Sequence, residues 1–400
     1  MTELEVPTTA RAPRAAAAGS ASLRRAAPAL LGYAAVRILC LLTLAVWSAA
    51  RGKSAYTLLT ARWDALWYTR VAELGYGYEV RLPNGDVHSN LAFFPLLPWL
   101  ERLLHAVTPL SYADAGFVVS LLASLAAAWG IFAVADHVYG GRYGRGAGVC
   151  AVLLWAALPV GIVQSMAYSE SLFTALAAWS LYAVLTGRWV TAGLLASAAG
   201  LTRPVGLAVV AAVWVTGVLA FARERGGART GARAGRARRA LGLVLAPLGT
   251  AGYVLWVGRR TGGGVFGYLD VQAGWRNGFD GGYAFARFVA DKFTAFPSAL
   301  AGLGLVVGVA LLIRLYVVCV RQGQPVPLLV YTGVVLALAL CASSYFGSKP
   351  RLLMPAFPVL FPLALALARL RTRTSAPVVG AVVAVAAAYG AWWLNGSGPP

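Results

Sequence analysis

Ten runs of this chain are apolar over about the length needed to cross a bilayer, one of them long enough for two helices, and no other feature constrains its fold as strongly. About 18 or more apolar residues at ~1.5 Å of helical rise span most of the ~30 Å hydrocarbon layer. The runs lie near 28–50, 114–135, 146–165, 170–186, 190–222, 240–258, 298–320, 326–346, 352–369 and 376–394. Only 12% of side chains are charged and the mean hydropathy is +0.70. Soluble domains carry about twice that charged fraction. A soluble enzyme, a secreted disulfide scaffold and a disordered chain are excluded. The expectation is an all-α polytopic membrane protein, because only a helix or a closed barrel satisfies its backbone in lipid.

Charge sets the expected orientation. The net charge of +20 needs no nucleic acid to explain it, since cytoplasmic loops collect Lys and Arg. The four cysteines, Cys40, Cys150, Cys319 and Cys341, lie in apolar runs without metal-ligand or redox spacing. Residues 1–27 are Ala- and Arg-rich without periodicity and are expected to form a disordered cytoplasmic tail. Arg37, in the first apolar run, is expected to snorkel toward the inner face. The stretch 223–239 holds seven arginines and belongs inside, where it can attract anionic lipids. Arg188 also belongs inside, so two crossings must separate it from Arg223. The run 190–222 therefore divides at Thr202-Arg203-Pro204, where Pro204 disfavours helical geometry. About eleven crossings result, forming a membrane domain over 28–394 with a short outer tail at 395–400.

This topology places a first outer loop at 51–113 and a second at 259–297. Ten of the fourteen acidic residues fall in the outer segments, together with a concentration of aromatic side chains. The first loop contains Arg62-Trp63-Asp64-Ala65-Leu66-Trp67-Tyr68, then Gly75-Tyr76, then Phe93-Phe94-Pro95-Leu96-Leu97-Pro98. The spacing predicts an interfacial helix capped by Asp64 and stopped by Gly75, with Trp63 and Trp67 on one side. Read by itself, Asp64 is an N-cap and the tryptophans are an aromatic belt at the membrane surface.

The Trp-Asp-x-x-Trp-Tyr stretch with Phe-Phe-Pro-Leu-x-Pro resembles the first-loop signature of the GPI mannosyltransferase II-like family. Further stretches follow the same order: Tyr168-Ser169-Glu170-Ser171-Leu172-Phe173, Thr202-Arg203-Pro204-Val205-Gly206, Gln272 with Trp275, and Arg351-Leu352-Leu353-Met354-Pro355. The family's eukaryotic members usually carry Arg-Ser-Asn-Gly where Arg203-Pro204-Val205-Gly206 stands here, so a GPI anchor need not be the acceptor. The resemblance implies a GT-C bundle whose large first outer loop carries interfacial helices. It further implies inverting transfer of a sugar, most readily mannose, from a polyprenyl-phosphate donor to an acceptor hydroxyl on the outer face of the plasma membrane. Asp64 takes the place of the general base.

Arg203 is the first choice for the donor phosphate, followed by Lys349 and Arg351, because guanidinium and ammonium groups meet phosphate charge well. Trp63, Trp67, Tyr68, Glu170, Gln272 and Trp275 are expected to position substrate. Each has a plainer alternative: Arg203 in an ion pair with Glu170, Lys349 and Arg351 as interface anchors, Gln272 and Trp275 as packing. There is no Asp-x-Asp pair, P-loop or HExxH motif, so no metal and no cofactor are expected. The expected partners are the lipid-linked donor, membrane lipids and an acceptor that is a glycolipid, a polymer or a protein, and no nucleic acid. A transporter or lipid-linked-sugar flippase, or a non-catalytic scaffold of glycan assembly, remains open from sequence.

Overall fold

The computed structural model describes residues 13–224, 232–396 and 398. Helix α1 (Pro13–Ala50) opens the chain. The tail expected over 1–27 is thus helical from Pro13 onward, because its alanines have the highest helix propensity and continue the first span; residues 1–12 lie outside the described residues. The first loop follows as α2 (Ala55–Thr60), α3 (Asp64–Leu74), a hairpin of β1 (Glu79–Arg81) and β2 (Val87–Ser89), and α4 (Leu96–Val107). Then come α5 (Tyr112–Tyr143), α6 (Gly146–Ala156), α7 (Ser169–Leu185), α8 (Trp189–Gly200) and α9 (Gly206–Glu224). Of the basic stretch 223–239, residues 225–231 lie outside the described residues, and α10 (Ala232–Leu245) carries the rest into α11 (Leu248–Thr261). The second loop holds α12 (Gly267–Gly274), β3 (Gly278–Phe279) and α13 (Tyr283–Asp291). The remaining elements are α14 (Ser298–Arg321), α15 (Val326–Cys341), β4 (Ala342–Ser343), α16 (Lys349–Leu353), α17 (Phe361–Arg369) and α18 (Thr372–Leu394).

The fold is an all-α polytopic membrane protein. All eleven expected apolar segments are helical, but they do not span alike. Among the described residues six segments are long and apolar enough to cross: Ala21–Ala50, Tyr112–Tyr143, Gly206–Glu224, Arg233–Thr261, Ser298–Arg321 and Thr372–Leu394. A seventh is the pair Phe346–Leu353 and Phe357–Arg369, bent by 74°. The other four, α6, α7, α8 and α15, have 11, 17, 12 and 16 residues. That is about 16–26 Å of helix, short of the ~30 Å layer. Their broken ends are enclosed by protein, as irregular backbone at membrane depth must be: residues 160–171, between α6 and α7, are all buried.

Helix α5 packs on α7, α7 on α8, α9 on α15, and α1 on α6 and α18. The interior is built largely of alanine, which lets backbones approach closely. Two of its large buried side chains, Tyr33 and Trp155, are polar-tipped and find partners. Tyr33 stacks on Trp155 at 5.5 Å between ring centroids and donates to Gln164 at 3.0 Å. Gln164 donates to the Trp155 carbonyl at 2.8 Å. Arg37 corrects the snorkelling expectation: it is only 4% exposed and donates to the carbonyls of Ala156 and Gly161, at the open end of α6. The last carbonyls of a helix lack internal partners, so a buried guanidinium finds acceptors there without reaching the surface.

Candidate functional site

Helix α3 carries the acid that stands out in the sequence. It runs from Asp64 to Leu74 and stops at Gly75, whose φ of 78° favours glycine. The expected N-cap role of Asp64 is corrected, because Trp63 occupies the cap position and Asp64 is the first helical residue. Trp63 has φ 51°, a backbone state that costs a bulky residue on the order of 1–3 kcal/mol. Its indole packs against the core and lies under the Arg62 guanidinium at 4.1 Å, which holds it there. The Asp64 carboxylate is thereby released from capping and turned to another helix.

That carboxylate meets Arg351 of α16, whose Nη1 donates to Asp64 Oδ2 at 2.5 Å. Arg351 is 9% exposed at its side chain, while Asp64 remains 28% exposed. Arg351 Nε lies 3.3 Å from Oε1 of Glu170, the second residue of α7, whose side chain is 1% exposed. The same Oε1 is paired with Nη1 of Arg203, which sits in the break between α8 and α9 and is 13% exposed. Four side chains from four separate elements therefore form a row, Asp64–Arg351–Glu170–Arg203, with alternating sign. Buried charge is tolerated only when paired in this way. The break that brings Arg203 here is the one Pro204 dictates: α8 ends at Gly200 and α9 begins at Gly206.

Tyr168, absent from the expected set, supports the row from below. Its hydroxyl accepts the Asp64 backbone N–H at 3.3 Å, and the Arg351 guanidinium lies over its ring at 5.1 Å. The quoted Tyr168-Ser169-Glu170 stretch contained it, but periodicity alone does not distinguish a phenol aimed at a helix start from a core tyrosine. Tyr68 joins from α3: its buried hydroxyl is 2.7 Å from Ser169 Oγ. Burial pushes the Tyr68 phenol above its ordinary value, so it stays neutral.

The other expected residues are placed elsewhere. Lys349 is 3% exposed and donates to the carbonyls of Ala339 and Ala342 at 2.8 Å each, neutralising the C-terminal end of α15. Its ammonium is thus engaged with backbone, and the row's cations are Arg203 and Arg351. Trp67, Phe93 and Trp275 form an aromatic cluster, with Trp67 and Trp275 at 4.9 Å and Trp67 stacked on Phe93 at 5.6 Å. Trp275 donates its indole N–H to the Ser89 carbonyl at 3.0 Å and stacks on His88 at 4.0 Å. Gln272 donates to the Tyr268 hydroxyl at 2.5 Å and accepts from Asn277 at 2.9 Å. These contacts fasten the second loop to the first, beside the row. Tyr76 and Tyr253 add two phenols donated to the Phe93 carbonyl at 2.8 Å each, fixing the Phe-Phe-Pro turn. Among the described residues no three His, Cys, Asp or Glu side chains converge, and both acids of the row face guanidinium groups, so the donors for a divalent cation are not assembled here.

No protein-family model matches the chain, and no curated protein matches it. The fold does match solved structures. The oligosaccharyltransferase of Archaeoglobus fulgidus, in a complex with zinc and sulfate, aligns at a TM-score of 0.50 and 12% identity, covering 91% of this chain and 53% of that one. ArnT from Cupriavidus metallidurans in the apo state aligns at 0.49 and 16% identity, covering 90% and 62%. AglB of Archaeoglobus fulgidus, with an inhibitory peptide and a dolichol-phosphate, aligns at 0.49 and 11% identity, covering 92% and 56%. The chain spans less than two thirds of the length of each. The oligosaccharyltransferase match shows a shared fold and nothing further.

Proposed function

We propose that this protein is a membrane glycosyltransferase that moves a sugar, mannose by the family resemblance, from a polyprenyl-phosphate donor to an acceptor hydroxyl. The observation that carries the reading is the Asp64 carboxylate: partly exposed at the head of α3, gripped by a buried arginine, and set beside a second arginine in a fold shared with the oligosaccharyltransferase. In the proposed reaction the acceptor oxygen attacks the anomeric carbon from the face opposite the phosphate. The carbon–oxygen bond to the phosphate breaks and the configuration inverts. Asp64 takes the hydroxyl proton, and polyprenyl phosphate leaves with the electron pair of the broken bond. Arg203, the more exposed of the two guanidiniums, meets the leaving phosphate. Arg351 is a positioning residue that fixes the Asp64 carboxylate. Trp67 and Trp275 shape the adjoining loop surface against which an acceptor would lie. Following the charge of the loops, α10 faces the cytoplasm and the row faces outward at the plasma membrane.

The test is transfer of label from polyprenyl-phosphate [³H]mannose in membranes containing the wild-type chain or Asp64→Asn, with lipid and polymer products separated. Label in product with wild type alone is expected. Equal labelling by both chains would remove Asp64 from the reaction. Labelling by neither, with acceptor-bearing membranes, would exclude mannose and send the assay to other lipid-linked sugars.

A further inference from the structure

Glu170 is fully enclosed and bridges the two arginines through a single atom. Its Oε1 is paired with Arg203 Nη1 and also lies 3.3 Å from Arg351 Nε. Arg351 in turn holds Asp64 by its Nη1 at 2.5 Å. The two contacts to Oε1 are unequal, and the longer one is to Arg351. Among the described residues Glu170 is the only ion-pair partner of Arg203, and Arg203 lies at the exposed end of this half of the row.

We infer that the row couples the two substrate positions: a phosphate that draws Arg203 away from Glu170 leaves Oε1 to Arg351 alone, and Arg351 then loosens its hold on Asp64. The inference rests on the proposed donor site at Arg203. Its physical basis is competition for a fixed number of charges in a row that water reaches only at its two ends. Two acids and two arginines balance when the site is empty. An arriving phosphate adds negative charge and takes one guanidinium. The remaining guanidinium must then serve both Glu170 and Asp64, and the buried Glu170 has the greater need because it has no solvent to fall back on. The Nε contact shortens, Arg351 is drawn toward α7, and the lone pairs of Asp64 become free for an acceptor hydroxyl. The site would thus take its donor first and release its base from Arg351 second.

Coupling of this kind is reciprocal. Neutralising Asp64 frees Arg351 for Glu170 in advance, which releases Arg203 and tightens phosphate binding. Neutralisation also acts directly, by removing a negative charge near the phosphate, but that part does not need Glu170. The experiment measures the affinity of the purified full chain in detergent for farnesyl phosphate, in four forms: wild type, Asp64→Asn, Glu170→Gln and the double variant. Asp64→Asn is expected to tighten binding by a factor on the order of five larger when Glu170 is present than when it is Gln. Equal factors in the two backgrounds would overturn the coupling while leaving a phosphate site at Arg203 intact. An affinity unchanged by Arg203→Gln would overturn both the donor site and the coupling. If Glu170→Gln does not yield folded protein, Glu170→Asp withdraws the carboxylate by one methylene and must reduce the ratio of the two factors; an unreduced ratio overturns the inference.

Discussion

Arg351 is the single side chain on which most of the site depends. It is nearly enclosed and carries contacts to Asp64, Glu170 and the Tyr168 ring. Removing one partner from a buried ion pair costs about 3–5 kcal/mol, because the other charges stay behind. Arg351→Gln is therefore expected to lower the thermal midpoint in detergent by several degrees and to abolish transfer; a variant as stable and active as wild type would refute this placement. Tyr168→Phe keeps the ring beneath Arg351 and removes only the acceptor of the Asp64 N–H, so a fall in turnover with little change in stability is expected. Glu101 behaves differently. It is fully buried on α4, neither of its oxygens has a hydrogen-bond partner, and a Cβ on Gly116 would sit 2.5 Å from it. Burial pushes its carboxyl well above its ordinary value of 4.5. A folded-state value raised above the unfolded one means that its stabilising share is complete below about 4.5 and is lost as pH rises through the folded value. Thermal midpoints of the wild type should fall with rising pH above that range. Glu101→Met should raise the midpoint at neutral pH, by the equivalent of about 1–3 kcal/mol, and flatten the decline.

Between elements, close backbone approach replaces the hydrophobic driving force that lipid withholds. Helices α8 and α10 meet at Gly193 and Gly242: a Cβ on Gly193 would lie 2.3 Å from the Gly242 carbonyl oxygen, and one on Gly242 would lie 2.3 Å from the Trp189 carbonyl oxygen. Both obstacles are backbone and cannot turn aside. Gly193→Ala and Gly242→Ala are each expected to destabilise by about 1–3 kcal/mol or more, read as a lowered thermal midpoint. Gly252 on α11 meets open space, and alanine there should be neutral or slightly stabilising. Equal effects at all three positions would show that α8 and α10 do not pack this closely. The break at Arg203 was legible because proline has a fixed local consequence. The short lengths of α6 and α15 were not, since an apolar residue in a buried turn reads the same as one in a helix.

At the scale of the whole molecule, the charge of the connecting segments determines which face holds the site. A cysteine at Tyr283, 70% exposed in the second loop, should react with an impermeant maleimide on intact cells. A cysteine at Arg236 on α10 should react only after the membrane is opened. The reverse pattern would place Asp64 on the cytoplasmic side. The second loop is joined to the segment after α15 by the β3–β4 pair, Gly278 with Ser343 and Phe279 with Ala342, and to the first loop by the Trp275 bond to Ser89. The first and second loops consequently hold together, and loss of either loop's anchors should disturb the row beside them.

The number and order of apolar segments, the interfacial helix after Trp63, its stop at Gly75 and the break at Pro204 follow from residues near one another in the chain. Hydropathy, glycine conformation and the missing proline donor act over a few positions, so the sequence by itself determined them. The partner of Asp64 is 287 residues away, and only the packed bundle brings α16 to α3. The same packing turned Arg37 inward, committed Lys349 to the end of α15, and brought Glu170 against Arg203. Tertiary structure decided those matters because a buried charge takes whichever opposite charge or carbonyl lies within reach, and reach is a property of the fold.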